Sequence, residues 1–345
     1  MGMREIRLGR TELTVSAVGF GGIPIQRLSE EGAVHVVRRC LDLGVTFLDT
    51  ANGYTTSEER IGQAIAGRRE GLMLATKTGS REGTVVREHL ALSLERLGVE
   101  TIDLYQFHCV STDEDYEKVL ASGGPLDVVR EAQASAQVSH IGLTSHSMEI
   151  ALKAVRSGHF ETIMFPFNFI ANEAAQELIP LALERDVGFI AMKPLAGGAL
   201  DNATLAFKYL RQFPQILSIP GIERTDEIEE IVALMEGSAE MTPGEREEIG
   251  RLQAELGDRF CRRCGYCQPC PEGVSVQLLM ILDSVIKRMP PDNVVVNLAK
   301  VVDGARACTE CGECEEKCPY NLPIREMIKE HVALFHAEMT RSGLV

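Results

Sequence analysis

Short apolar runs punctuate the first two thirds of the chain, at 15–20, 45–48, 72–76, 102–107, 139–143, 162–165, 188–192 and 216–219. Each breaks off at a polar residue, a glycine or a proline, the pattern of a strand buried on both faces. Successive starts lie roughly 25 to 35 residues apart, the period of βα repeats. The stretches between have helical periodicity. Residues 31–43 place Ala33, Val37, Cys40 and Leu41 on one stripe and stop at Gly44. Thr84 is positioned to cap 85–97, with Val86, Leu90, Leu94 and Leu97 inward and Gly98 as the stop. Pro180 falls inside 173–184 and is expected to kink it. Residues 225–235 and 243–256 read as two acidic helices, and the long 111–125 connection is expected to carry a short helix of its own. Ahead of the first strand, 3–8 and 13–17 read as a hairpin turned by Gly9-Arg10-Thr11. Eight strands alternating with helices predict a (β/α)₈ barrel over 1–257, with a doubly wound sheet as the alternative.

Past Gly257 the pattern changes. Apolar helical segments at 276–287, 294–302 and 324–335 are interleaved with cysteines, so 258–345 reads as a second, α-helical domain.

Composition narrows the function classes. A net charge of −15, spread along the chain, disfavours nucleic acid and anionic membrane as partners. The start MGMREIRLGR lacks the apolar core of a signal peptide, and no apolar run reaches membrane-spanning length. Eight of the ten cysteines fall between Cys261 and Cys318. Clusters at two-residue gaps, without an export signal, read as metal ligation in a reducing cytoplasm.

In a barrel, chemistry sits at the strands' carboxyl ends. Those ends carry Asp49, with Tyr54 in the loop beyond it, then Lys77, then His108. A buried lysine at a strand end needs a partner, which Asp49 supplies. A cation beside Tyr54 favours tyrosinate and makes the phenol a stronger acid. Tyr54 is then suited to protonate a carbonyl oxygen as hydride reaches its carbon, with His108 orienting that oxygen. Singly, each residue has a plain structural reading: a cap, an ion pair, a satisfied core histidine. Four at consecutive strand ends favour a reaction centre.

The segments LGRTELTVSAVGFGG, LDTANGYTTSEERIG, ATKTG, DLYQFH, IGLTSHS and IPG, in this order, resemble the successive signatures of the aldo-keto reductases. The resemblance implies a barrel that binds NAD(P)H across its rim and reduces aldehydes or ketones, with Asp49, Tyr54, Lys77 and His108 as the catalytic tetrad. It also implies nucleotide contacts at Thr144, Ser145, Met164, Met192, Lys193, Pro194, Leu195, Gly221 and Arg224. There are departures. The family's Ser-Asn pair falls on Thr144 and Ser145, its strand-six Gln on Met164, and its stacking aromatic on Met192, which packs but does not π-stack. Basic residues expected against a 2′-phosphate fall on Gly221 and Glu227, leaving Arg224 as the nearby cation. Carboxylates there repel a phosphate, which favours NADH over NADPH. The helix start at Thr225 offers free N–H groups to an anion.

Cys261, Cys264, Cys267 and Cys270 form one run, and Cys308, Cys311, Cys314 and Cys318, followed by proline, form the bacterial ferredoxin run C-x₂-C-x₂-C-x₃-C-P. In such proteins the fourth cysteine of each run ligates the other cluster. Two [4Fe–4S] clusters follow, one on Cys261, Cys264, Cys267 and Cys318, the other on Cys308, Cys311, Cys314 and Cys270. Two zinc ions are the alternative. The MKPLAGG segment and the cysteine tail resemble the aldo-keto reductase subgroup with a C-terminal ferredoxin-type domain. Cys40 and Cys109 stand apart and read as unligated; Cys109 follows His108 and reads as either a rim residue or, the favoured reading, a plain buried thiol. Two functions remain open: a carbonyl reductase whose clusters are structural or serve a redox protein partner, and an electron-transfer or redox-sensing protein whose barrel only binds nucleotide.

Overall fold

The computed structural model describes residues 3–344. The chain packs as two compact units divided between Met241 and Thr242, so the helix Pro243–Leu256 groups with the cysteine-bearing unit.

The first unit opens with the hairpin expected from sequence. Strand β1 (Glu5–Arg7) pairs antiparallel with β2 (Thr14–Ser16). Eight parallel strands follow: β3 (Phe20–Gly21), β4 (Phe47–Asp49), β5 (Met73–Thr78), β6 (Ile102–Phe107), β7 (Val138–Thr144), β8 (Thr162–Pro166), β9 (Gly188–Met192) and β10 (Leu217–Ile219). They pair in chain order, and bridges Val18 to Ser218 and Gly21 to Gly221 join first to last. That closure excludes the doubly wound alternative. The first barrel strand is shorter than 15–20, because Thr14–Ser16 is spent on the hairpin.

Two apolar layers hold the barrel. Leu8, Phe47, Ala75, Leu104, Met164, Ile190 and Leu217 form a core together with hairpin residues Ile6 and Val15, while the larger cluster includes Val37, Ile61, Leu90, Val129 and Ala154 from the helices. The hairpin meets the barrel at the strands' amino end, where Gly9 bridges to Val187. Its φ of +55° and the 2.3 Å between a built Cβ and the Gly188 nitrogen leave room only for glycine. The other end stays available for chemistry.

Three local expectations change. The helix Gly83–Leu97 starts ahead of Thr84, with Glu82 at the cap position. Pro180 does not kink a long helix. A 3₁₀ turn (Glu173–Ala175) precedes a short helix Leu178–Glu184, and Pro180 lies in its first turn, where a missing N–H costs nothing. The segment 276–287 is two helices, Val276–Leu279 and Leu282–Ile286. The 111–125 connection does carry a helix, Asp113–Leu120, capped by the Thr112 side chain.

The second unit is helical, with Pro291–Gly304 and Ile324–Arg341 as longer elements. Its own core gathers Leu279, Leu282, Val294, Val302, Ile328 and Phe335. Among the described residues, no helix is long and apolar enough to cross a membrane.

Candidate active site

The site starts from a buried ion pair. Asp49 ends β4 and Lys77 lies on the neighbouring β5; both are almost wholly buried. Lys77 Nζ donates to Asp49 Oδ2 at 2.6 Å and to the Thr50 carbonyl at 2.6 Å. Gln106 Nε2, on β6, donates to Asp49 Oδ1 at 3.2 Å. Burial pushes the Asp49 carboxyl up, with Lys77 and Gln106 pulling it back. Burial, the largest single influence, would lower Lys77, but the Asp49 charge and hydrogen bond, together with Tyr54 and Cys109, hold the ammonium above its ordinary value. With a carboxylate and a carbonyl as acceptors, the pair is read as ionised.

Tyr54 reaches this pair from a pinned loop. Tyr54 N donates to the Ala51 carbonyl at 2.9 Å and Ser57 N to the Tyr54 carbonyl at 2.7 Å. Thr50 Oγ1 donates to Ser57 Oγ, which donates to the Gly22 carbonyl, both at 2.9 Å. The half-buried phenol ring lies with Lys77 Nζ 5.2 Å from its centroid. His108, just past β6, meets Tyr54 edge-on with ring centroids 5.7 Å apart. The structure therefore brings Asp49, Tyr54, Lys77 and His108 to one end of the barrel.

Beside His108 is a group that the sequence reading placed differently. Cys109 is exposed, not buried. Its backbone is fixed at φ +54°, with its N–H donated to Thr144 Oγ1 at 2.8 Å and its carbonyl accepting from Arg81 at 3.1 Å. Crowding by protein would push the thiol up, yet the charge and hydrogen bonds of His108, then those of His146, hold it well below its ordinary value. His146 Nε2 in turn lies 3.0 Å from Lys193 Nζ. Cys40 behaves as expected: it is buried, and burial pushes its thiol up to about 12.

The expected nucleotide contacts lie along the ends of β7 to β10. Thr144 is buried, and its hydroxyl is the acceptor for Cys109 N. Ser145 is buried and bonded within its own turn to Ser147. Met164 is buried inside the barrel, and half-buried Met192 ends β9. Lys193, with φ +58°, starts a tight loop through buried Pro194, half-buried Leu195 and Gly198, where a Cβ would meet nothing within 4 Å. Lys193 is thus a cation at the mouth of an open turn, which suits a phosphate group. The end of β10 is different. Gly221 is exposed, and Arg224 is already held by Asp226 at 3.0 Å and Glu227 at 3.2 Å. Glu227 Oε2 accepts from the Glu223 and Arg224 N–H groups at 2.9 and 3.1 Å. The helix start that could have bound an anion already has one.

Gln106 and His146 were not picked out by sequence reasoning. Gln106 shares strand parity with Leu104 and His108, a signal that it faces inward, and its buried Oε1 has no hydrogen-bond partner.

In the second unit the cysteines line two cavities. One is lined by Cys261, Cys264, Cys267 and Cys318, with Tyr320 and Ile324. The other is lined by Cys267, Cys270, Cys308, Cys311 and Cys314. Cys267 thus lines both cavities, and each lining contains one of the crossed sets expected from sequence; four thiols are the donor set of an iron–sulfur cluster. Burial, then the neighbouring thiols of Cys261 and Cys264, pushes Cys267 up to about 12.

Comparison with known proteins agrees. Residues 17–215 match the family model described as the aldo/keto reductase family, and residues 260–323 match that of a 4Fe-4S dicluster domain. An uncharacterized oxidoreductase of Bacillus subtilis, YqkF, is 28% identical over 217 residues, spanning 59% of this chain and 68% of that one. The L-galactose dehydrogenase of Arabidopsis thaliana is 30% identical over 218 residues, 57% of this chain and 67% of that one. The aldo-keto reductase yakc [NADP(+)] of Schizosaccharomyces pombe is 28% identical over 225 residues, 59% of this chain and 64% of that one. The match thus spans about two thirds of these relatives' lengths. Among solved structures, the holo form of aldo-keto reductase AKR11C1 from Bacillus halodurans superposes with a TM-score of 0.64 at 23% identity, covering 72% of this chain and 96% of that one. The aldo/keto reductase of Klebsiella pneumoniae in complex with NADP and acetate gives 0.62 at 20%, covering 73% and 95%. At these identities the structures speak to the fold. The chain belongs to the aldo/keto reductase family, as an oxidoreductase with a 4Fe-4S dicluster domain at its C-terminal end.

Proposed function

We propose that the barrel reduces an aldehyde or ketone with NAD(P)H. The observation that carries this reading is the buried Lys77–Asp49 pair set against the Tyr54 ring, with the His108 ring meeting that phenol edge-on. The bound nicotinamide supplies the hydride. Tyr54 delivers the proton to the carbonyl oxygen. Lys77 stabilises the negative charge left on the phenol oxygen, and Asp49 keeps Lys77 charged in a site almost free of water. His108 donates to the carbonyl oxygen and fixes its orientation. Thr144, Ser145, Met164 and Met192 would hold the nicotinamide end, and Lys193, Pro194, Leu195, Gly221 and Arg224 the rest of the nucleotide. One relative and two structural neighbours carry NADP or NADPH in their names, but here Glu227, at a position where the family resemblance implies a basic residue, caps the helix. That supports NADH as the preferred donor.

The dicluster domain holds two [4Fe–4S] clusters, on the crossed sets given above, for structure or for a redox protein partner. Tyr54→Phe tests the barrel's part. With a panel of aldehydes and ketones, the wild type oxidises NADH or NADPH, and the variant loses about 10²–10⁴-fold in kcat while still binding nucleotide. Wild type that turns over no carbonyl, yet holds reducible clusters, refutes the reductase and leaves an electron-transfer protein.

A further inference from the structure

The parallel register sets Lys77, Gln106, Gly142 and Thr162 side by side on β5, β6, β7 and β8. The barrel core around them is apolar, with Ala75, Leu104, Met164 and Ile190. Gln106 and Thr162 are wholly buried, and neither Gln106 Oε1 nor Thr162 Oγ1 has a hydrogen-bond partner. An amide oxygen or a hydroxyl left unmet in a core is costly, and an aliphatic side chain avoids that cost. The two groups are neighbours. Gly142 lies within the strand β7, and a Cβ built on it would fall 2.3 Å from Thr162 Oγ1 and 3.0 Å from Gln106 Cγ. The missing side chain is what lets the hydroxyl and the amide's stem share that face of β7. A donor without an acceptor therefore sits next to an acceptor without a donor. The amide's other end is committed. Gln106 Nε2 donates to Asp49 Oδ1 at 3.2 Å, and Asp49 Oδ2 accepts from Lys77 at 2.6 Å.

We propose that Gln106 is a positioning residue for the carbonyl reduction, anchored by the Thr162 hydroxyl over the bare face of Gly142 and holding Asp49 in place against Lys77. The hydroxyl donates to Oε1, directly or through one shared water. That anchor decides which end of the amide meets the carboxylate, since Oε1 turned towards Asp49 would set two acceptors against each other. The N–H held there favours the ionised carboxylate, and the carboxylate keeps Lys77 charged beside the Tyr54 ring. The groups that act on Asp49 are Lys77 from β5 and His108 beyond β6, while Tyr54 and Cys109 act on Lys77. On Asp49's other side β3 pairs through Phe20 and Gly21, neither of them titratable. The positioning role rests on the carbonyl-reductase reading; the anchor does not.

The test uses the full-length protein, purified anaerobically with its clusters intact. A high-resolution crystal structure should show Thr162 Oγ1 within hydrogen-bonding distance of Gln106 Oε1, or one water bonded to both. Two atoms that share neither overturn the anchor. In Gln106→Leu the acid limb of the kcat–pH profile should move up by about one pH unit, the scale of one hydrogen bond to a charged group, because Asp49 then takes its proton sooner as pH falls. The nucleotide KM should stay at its wild-type value. Thr162→Val, which removes the hydroxyl, should move the limb the same way by less, and Thr162→Ser, which keeps it, should leave the limb in place. An unmoved limb in a Gln106→Leu protein that is folded by circular dichroism overturns the positioning role, since packing alone does not shift a protonation step. Where Gln106→Leu does not fold, the Thr162 pair decides. Thr162→Val with the same limb as Thr162→Ser overturns the part given to Thr162. If the wild type reduces no carbonyl, the positioning role falls with that reading, and the crystal structure still decides on the anchor.

Discussion

Lys77→Met isolates the charge that the proposed mechanism depends on. Lys77 Nζ lies 5.2 Å from the Tyr54 ring centroid, and at an effective dielectric of about 20 two unit charges at that distance attract by roughly 3 kcal/mol. If that attraction is realised as negative charge collects on the phenol oxygen, its loss slows proton delivery by about 10²-fold. The substitution does a second thing. It strands the Asp49 carboxylate at 3% exposure with only Gln106 to meet it, a defect that costs about 3–5 kcal/mol. In a domain of this size that is a fall in Tm of roughly 6–20 °C. The two effects separate in the double variant Asp49→Asn/Lys77→Met, which removes the stranded charge but not the missing one. Stability followed by circular dichroism should recover most of the loss. kcat, measured by nucleotide absorbance with 4-deuterated NADH or NADPH to confirm that hydride transfer is being observed, should stay about 10² below wild type. A Lys77→Met protein within threefold of wild-type kcat would refute the assignment. So would a double variant that regains activity along with stability, because Lys77 would then be a structural ion-pair partner and nothing more.

Other expectations are independent of that pair. Glu227→Lys removes the carboxylate that caps the helix at Thr225, and should raise the ratio of NADPH to NADH kcat/KM by about tenfold, the scale of two partly exposed charge contacts. On the proposed ligand sets, Cys318→Ser should cost the chain about half its iron and sulfide, because that thiol lines one cavity with Cys261, Cys264 and Cys267. Glu161 accepts from His140 at 2.7 Å and from Ile141 N at 2.9 Å, and although burial pushes its carboxyl up, these bonds hold it below the ordinary value. A lowered acid stabilises the fold above its unfolded value of about 4.3 and loses that contribution as pH falls through the folded one. Glu161→Gln should therefore lose less Tm than wild type between pH 5 and pH 3.

The barrel and its candidate reaction centre were legible because one physical rule served for both. A strand buried on two faces must be apolar, so the first polar residue after it marks the rim. Asp49, Lys77 and His108 announce themselves that way, and the closed strand order confirms the count. Gln106 broke the rule from inside the run. A polar residue in IDLYQF reads as a flaw in a strand, and only its parity with Leu104 and His108 shows that it points inward. What lies in loops was harder. Nothing periodic fixes where a side chain points after the strand has ended, so the approach of His146 to Lys193 needed coordinates; a cysteine next to a candidate catalytic histidine was visible, but its exposure was not. Helix starts failed for a related reason. Thr84 had the right side chain for a cap, yet the helix begins two residues sooner than expected, at Gly83, while at Arg224 the capping group is not the cap residue but Glu227 three positions on. That last spacing is present in the sequence, and it bears on function. A carboxylate committed to two backbone N–H groups is not free to swing away when a nucleotide arrives. Any preference for NADH would therefore be built into how the helix starts rather than added by a side chain at the ligand.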